Sequence, residues 1–187
     1  MKYKLFVWGL PVLKILFSTP TRLSRRIKPK DLPCKKQKSQ QEAEIIRKLA
    51  ASLIHQKYQD RNGKIHPLGL ENILVVAPYN MQVNLLKSVL PAGARVGTVD
   101  KFQGQQADVV IVSMTTSGET DLPRHIGFLY SKNRLNVALS RARSLAVVVA
   151  SPELLSINCS SPEEVALVNA LCWVMEYSGC LYLCNGA

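Results

Sequence analysis

Val96-Gly-Thr-Val-Asp-Lys-Phe-Gln-Gly-Gln-Gln-Ala-Asp108 runs straight into Val109-Val-Ile-Val-Ser-Met114. A short continuous apolar run such as 109–114 marks a strand buried on both faces. Ahead of it, Arg95–Val99 reads as a second strand, and the polar run Asp-Lys-Phe-Gln-Gly-Gln-Gln (100–106) separates the two. A purely structural protein has little need of that composition between two strands. Gly104 within it permits close backbone approach to a ligand. Outward from this stretch, Ile73-Leu-Val-Val-Ala77 and Leu145-Ala-Val-Val-Val-Ala150 repeat the buried-strand pattern.

Helical spacing fills the intervals. Ile46, Leu49, Ala50, Leu53 and Ile54 predict an amphipathic helix over 40–58. Ser39 caps it, with Glu42 reaching back in a capping box. Asp60-Arg-Asn-Gly63 reads as a turn. Asn80 can cap a helix that carries Val83, Leu86, Val89 and Leu90 on one side. Residues 117–124 form a polar loop, and 132–143 read as a helix with Leu135, Ala138, Leu139 and Ala142 on its buried side. A last helix starts at Ser161-Pro-Glu-Glu164, with Val165, Val168, Leu171, Cys172 and Met175 as its stripe. Strands alternating with helices predict an α/β domain with a mainly parallel sheet covered on both faces.

The 187 residues leave room for one domain with a sizeable core. The net charge of +11 suggests nucleic acid, but its location matters. Residues 1–38 hold 11 Lys/Arg and one acid, a net of +10, whereas 39–187 are nearly neutral at +1. The expected division is a basic, non-native or disordered tail over 1–38 and a folded domain over 39–187. The apolar run at 5–17 is broken by Pro11 and Lys14 and is too short to span a bilayer. The five cysteines form no C-x-x-C pair, so no metal site is expected, and scattered thiols fit a reducing cytoplasm.

Ligands of open parallel sheets collect at the carboxyl ends of strands. Tyr79 and Asn80 follow one strand, Asp100, Lys101, Gln103 and Gly104 a second, Thr115 and Thr116 a third. On the predicted helix 132–143, Arg134, Val137 and Arg141 share a face, and Asn136, Ser140 and Arg143 share another. Two arginines on one face can embrace a phosphate through their planar, always charged forks. Taken alone, they fit a solvated helix face at least as well.

Three strings together are similar to motifs of the Upf-like (Dna/Nam-type) branch of superfamily 1 helicases. They are Val75-Val-Ala-Pro-Tyr-Asn-Met-Gln82, the 96–108 stretch, and Asn133-Arg-Leu-Asn-Val-Ala-Leu-Ser-Arg-Ala-Arg143. Their order and spacing match across roughly residues 40–178, and 127–136 is worded like bacterial members. The resemblance implies a RecA-like C-terminal lobe, a P-loop NTPase second lobe without its own P-loop. It implies that Arg141 is the arginine finger toward the ATP γ-phosphate. Gly104, Gln106 and Arg134 fall beside the nucleotide. Tyr79, Asn80 and Thr98 approach the single strand, while Asp100, Gln103, Asn136 and Arg143 hold the motifs in place.

The implied cofactor is ATP with Mg²⁺, shared with a missing first lobe. The implied partners are single-stranded nucleic acid, DNA before RNA, and an N-terminal RecA-like lobe in cis or in trans; a membrane is not among them. The chain departs from the family at Gln106, where Glu is usual. It also lacks the G-x-x-x-x-G-K-[ST] phosphate loop, an Asp-Glu strand end, and the Gln-Tyr-Arg-Met-His-Pro segment. A truncated member that does not hydrolyse ATP alone is the expectation. A non-enzymatic nucleic-acid-binding module using the basic tail, or a regulatory lobe completing a partner ATPase, are the alternatives.

Overall fold

All seven residues of the strand Ala107–Ser113 are buried, and it lies inside the sheet. The computed structural model describes residues 12–18, 38–59, 63–115, 132–150, 162, 165, 168, 169, 172 and 180–183. In chain order these form β1 (Val12–Ser18), α1 (Gln40–Leu53), β2 (Lys57–Gln59), β3 (Ile65–Pro67), β4 (Ile73–Val76), α2 (Asn80–Val89), β5 (Arg95–Gly97), β6 (Ala107–Ser113), α3 (Lys132–Leu139), β7 (Ala142–Ala150) and β8 (Cys180–Leu183). Short 3₁₀ turns at Leu70–Asn72 and Asp100–Phe102 lead from one element to the next. Six strands make one sheet in the order β5-β4-β6-β7-β1-β8, and every pairing in it is parallel. β2 and β3 form a separate antiparallel hairpin.

The pleat sorts the strand residues onto two faces. Ile73, Val75, Val109, Ile111, Leu145, Val147 and Val149 pack with Ala43, Ile46 and Ala50 of α1 and Val83 and Leu86 of α2. Leu74, Val76, Val110, Val112, Ala146 and Val148 pack on the opposite side with Ala138 of α3 and with Phe102. Continuous apolar runs are therefore required, because both faces are covered by helices. This is the α/β fold with a mainly parallel sheet that the RecA-like reading expects.

Several expectations need correction. Val12–Ser18 is a strand, paired to β7 from Val12↔Leu145 to Phe17↔Ala150 and to β8 from Ile15↔Cys180. The expected tail over 1–38 therefore fails at these residues: Val12–Ser18, which takes in the end of the apolar run at 5–17, completes backbone hydrogen bonding inside the sheet. The helix predicted over 40–58 stops at Leu53. His55 sits at φ 73 and donates its N–H to Leu68 O at 3.0 Å, which turns the chain into the β2–β3 hairpin. The region left-handed at His55 normally calls for Gly or Asn, so the sequence carries no stop signal.

The helix predicted over 132–143 stops at Leu139. From Ala142 the backbone joins the ladder with β6, beginning at Ala107↔Ala142, and strand pairing wins over helical periodicity. Arg141 and Arg143 therefore share no helix face with Arg134 or Asn136. β5 ends at Gly97 rather than Val99. Ser39 does cap α1, accepting the Glu42 N–H at 3.2 Å, but the return half of the capping box is absent, because Gln82 Oε1 takes the Ser39 N–H at 2.7 Å. At α2 the N-cap position is Tyr79, whose side chain does not cap the helix, and Asn80 is the first helical residue.

Pro162, Val165, Val168, Asn169 and Cys172 have helical backbone, but Val165 is 45% exposed and Cys172 is exposed, so the stripe expected there is not buried at these two positions. Residues 60–62, the loop at 117–124, Thr116, Ser161, Leu171, Met175 and the Arg134 side chain lie outside the described residues.

Candidate functional site

The polar run between β5 and β6 crosses the sheet from one edge to the other. Gly97 ends β5 with almost no room for a side chain: a Cβ there would meet the Phe102 ring at 2.8 Å. That close approach lets Phe102 fold back into the core, where it is 6% exposed. The 3₁₀ turn closes with Gln103 N–H to Asp100 O at 3.2 Å, and Gln105 N–H to Phe102 O follows at 3.0 Å. Gly104 has φ +78, and an added Cβ would meet nothing within 4 Å. Its glycine is therefore explained by backbone conformation rather than by crowding. By Ala107 the chain has reached the amino end of β6. Gln105 and Gln106 thus lie at the opposite edge of the sheet from Thr98; the sequence reading placed Asp100, Lys101, Gln103 and Gly104 at the carboxyl edge and left the end of the run unplaced. The two edges are separated by the length of β6, about 20 Å at roughly 3.3 Å per residue.

The amino edge collects three arginines. Arg141 occupies the turn before β7, with its N–H on Ala138 O at 3.4 Å and its carbonyl accepting the Ala107 N–H at 3.0 Å. Arg141 is 8% exposed and donates Nη1 to Gln105 O at 3.2 Å, while its Nε is buried with no hydrogen-bond partner. Arg143, exposed on β7, donates Nε to Gln106 Oε1 at 3.2 Å. Arg95 of β5 donates Nη2 to Gln105 Oε1 at 2.8 Å and Nη1 to Glu71 O at 3.0 Å. Gln106 therefore meets Arg143 rather than Arg141. Arg95 was missed in the sequence because it belongs to none of the three motif strings. Asn136 is exposed on α3, away from these contacts, and its carbonyl accepts the Ser140 N–H at 2.8 Å.

The carboxyl edge holds the other candidates. Thr98 lines a small cavity with Pro78, Val99, Asp100, Met114 and Leu135. Tyr79 is half-buried beside it, and burial pushes its phenol above the usual tyrosine range. Asn80, Asp100 and Gln103 are exposed.

Behind this edge lies a buried polar network that sequence reasoning missed. Glu42 is fully buried, and its Oε2 accepts from Ser113 Oγ at 2.6 Å and from Thr115 N–H at 2.8 Å. Gln82, equally buried, donates Nε2 to Ser113 Oγ and Ser39 O, each at 3.1 Å. Thr115 closes the strand with φ 58. One signal was available: Gln82 stands one turn before Leu86 on the buried stripe of α2, where an apolar residue would be ordinary.

The donor set of the amino edge consists of guanidinium N–H groups and amides. It suits phosphate oxygens. Mg²⁺ takes oxygen ligands, typically carboxylates and phosphates, whereas the groups bonded to these arginines are carbonyls and side-chain amides. Among the described residues no group of three His, Cys, Asp or Glu is placed to hold a metal ion, and no helix is long and apolar enough to cross a membrane.

A family model described as "AAA domain" matches residues 10–153, a span that takes in β1 as well as the three motif strings. A DNA replication ATP-dependent helicase/nuclease of Arabidopsis thaliana is 32% identical over 146 residues, 78% of this chain and 10% of its own length. The DNA polymerase alpha-associated DNA helicase A of Saccharomyces cerevisiae is 40% identical over 89 residues, 45% of this chain and 13% of its own. The human RNA helicase Mov10l1 is 37% identical over 91 residues, 45% of this chain and 8% of its own. These relatives are eukaryotic, whereas the wording of 127–136 pointed to bacterial members. The chain spans about a tenth of the length of these relatives. With its parallel sheet, its motif strings and these likenesses, the chain belongs to the AAA domain family and has the fold of the C-terminal RecA-like lobe of superfamily 1 helicases.

Proposed function

We propose that this chain is the C-terminal motor lobe of an ATP-dependent helicase acting on single-stranded nucleic acid. The observation that carries this reading is Arg141. Arg141 as a residue is only 8% exposed, and its permanently charged guanidinium has a single hydrogen bond among the described residues, to a neutral carbonyl, and a buried Nε left unsatisfied. A buried charge left in that state is costly, and an anion brought to it relieves the cost. A phosphoryl group in transfer is such an anion. A guanidinium that reaches it stabilises the charge spread over its equatorial oxygens.

In this reading ATP with Mg²⁺ lies between this lobe and a first RecA-like lobe, in cis or in trans. The first lobe supplies the phosphate loop, the Mg²⁺ carboxylates and the group that orients the attacking water. This chain supplies Arg141, with Gly104, Gln106 and Arg134 beside the nucleotide. Tyr79, Asn80 and Thr98, at the carboxyl edge, form part of the track for the strand. Backbone grip and base stacking serve DNA and RNA alike. The named relatives include helicases for both, and DNA is the substrate proposed here, through the helicase/nuclease that matches the greater share of the chain.

The test joins the full chain to the first lobe of the Saccharomyces cerevisiae relative and measures ATP turnover with a single-stranded oligonucleotide. Wild type restores turnover. Arg141→Ala lowers it by roughly a thousandfold, the scale of an arginine finger, while oligonucleotide binding is retained. Equal turnover by the two proteins sinks the proposal. The competing module reading, with affinity carried by residues 1–38, is weakened by β1. Deleting 1–38 removes a strand from between β7 and β8, so point changes at Tyr79 and Thr98 are the cleaner probe.

A further inference from the structure

The amino edge carries more positive charge than one arginine finger needs. Arg95 comes from β5, Arg141 from the turn before β7 and Arg143 from β7, yet all three converge on two consecutive residues, Gln105 and Gln106. Every acceptor they use is neutral: the carbonyls of Glu71 and Gln105, and the side-chain amides of Gln105 and Gln106. Among the described residues the ion pairs join Glu44 to Arg47 and Lys48, on the far helix α1, and none reaches these arginines. Asp108, the nearest acid along β6, is buried and accepts instead from Asn72 Nδ2 at 2.8 Å.

Like charges gathered this closely repel one another, and a bound polyanion removes the repulsion. Each guanidinium has five N–H donors in a planar fork. The protein contacts above leave unused donors on the half-buried Arg95 and the exposed Arg143 for a ligand, with the mostly buried Arg141 adding its charge. Gln106 is central to the balance. A glutamate there would set a carboxylate against Arg143 Nε and cancel one of the three charges; the amide holds Arg143 in place without doing so.

We infer that Arg95, Arg141 and Arg143 form a polyphosphate site on this lobe alone, with Arg95 and Arg143 as phosphate-binding residues and Gln106 as the residue that keeps the site cationic. The inference rests on the nucleotide reading of Arg141, but it requires no second lobe. The ligand chemistry is a linear di- or triphosphate, and its two sources are a nucleotide and an inorganic polyphosphate.

The experiment titrates the full chain at low ionic strength, without Mg²⁺, with sodium tripolyphosphate and separately with ATP, followed by calorimetry. Both bind one per chain and compete with each other. ATP that binds without being displaced by tripolyphosphate overturns the inference, since recognition then lies in the nucleoside. Arg95→Ala and Arg143→Ala each weaken tripolyphosphate binding by roughly tenfold, the scale of losing one charge-assisted hydrogen-bonding group.

Gln106→Glu, an isosteric exposed change, weakens it several-fold with an unchanged circular dichroism spectrum. Lys87→Ala removes the same charge from the exposed side of α2 and leaves binding unaltered. Equal weakening by Lys87→Ala means diffuse attraction and overturns the site. Displacement of tripolyphosphate by a single-stranded oligonucleotide, abolished by Arg95→Ala, assigns the edge to the strand and also overturns it. Loss of this site leaves the motor reading intact if the joined protein still hydrolyses ATP through Arg141. Binding that persists while the joined protein is inactive leaves the site standing without the motor.

Discussion

The two edges of the sheet treat polar groups in opposite ways. At the carboxyl edge, Glu42, Gln82 and Ser113 are fully buried and bonded to one another and to the backbone at Ser39 and Thr115. At the amino edge, Gln105, Gln106 and Arg143 are exposed, and Arg141 is buried with an unfilled donor. Satisfied, dry polar groups hold elements together; incompletely satisfied ones wait for something else. The first network joins α1, α2 and β6 into one body. The second is bonded loosely enough for a ligand to take over.

The comparison breaks first at Glu42. Glu42→Ala takes the acceptor from the Ser113 hydroxyl and the Thr115 N–H and opens a cavity, so it costs about 3 kcal/mol. Thermal unfolding then falls on the order of 5–10 °C. A change within experimental error would mean that the network is not structural. Gln82→Ala follows at about 2 kcal/mol by urea titration, because it leaves the buried Ser39 N–H without its acceptor and removes a donor from Ser113 Oγ. Gly104→Ala costs about 1 kcal/mol, the penalty of a left-handed conformation for a residue with a Cβ. No clash adds to it.

At the amino edge the contrast sharpens. Arg141→Met leaves stability within about 1 kcal/mol of wild type in the same titration, since an apolar replacement of similar length suits a buried site. A loss as large as that of Glu42→Ala would move Arg141 into the structural class.

The smallest effect is a titration. Burial disfavours the Tyr79 phenolate, so its folded value lies above the usual one. The stability this contributes is intact below about pH 10 and is lost as pH rises through the folded value. The absorbance difference between wild type and Tyr79→Phe at alkaline pH reads that residue alone. Titration at or below the value of free tyrosine contradicts its burial.

Much of the fold was legible because β4, β6 and β7 are covered on both faces, which forces unbroken apolar runs. What escaped was decided by tertiary pairing. Residues 12–18 are flanked by Pro11 and strongly basic sequence, and only the empty ladder positions of β7 and β8 make them a strand. Ala142 is equally at home in helix or sheet, so nothing local showed that Arg141 and Arg143 leave the helix. Glu42 fits a capping box by spacing, and only the placement of Ser113 and Thr115 redirects its carboxylate. At the candidate site, the motif strings contained Arg141, Gln105, Gln106 and Arg143. The crossing from one edge to the other depends on Gly97 admitting Phe102, a packing fact without a local signal.

The position of β1 bears on how the protein is made. Val12 leaves the ribosome long before its partner, for it pairs with Leu145, and Ile15 pairs with Cys180. Contacts so distant along the chain form late and slow folding. Until β7 and β8 are synthesised, β1 has no native neighbour and presents an unpaired strand edge of the kind that recruits other chains. A nascent chain of this lobe is therefore a natural client for whatever shields such edges during synthesis. Changes that lower the apolar character of residues 12–18 should alter soluble yield more than they alter the chemistry of the finished lobe.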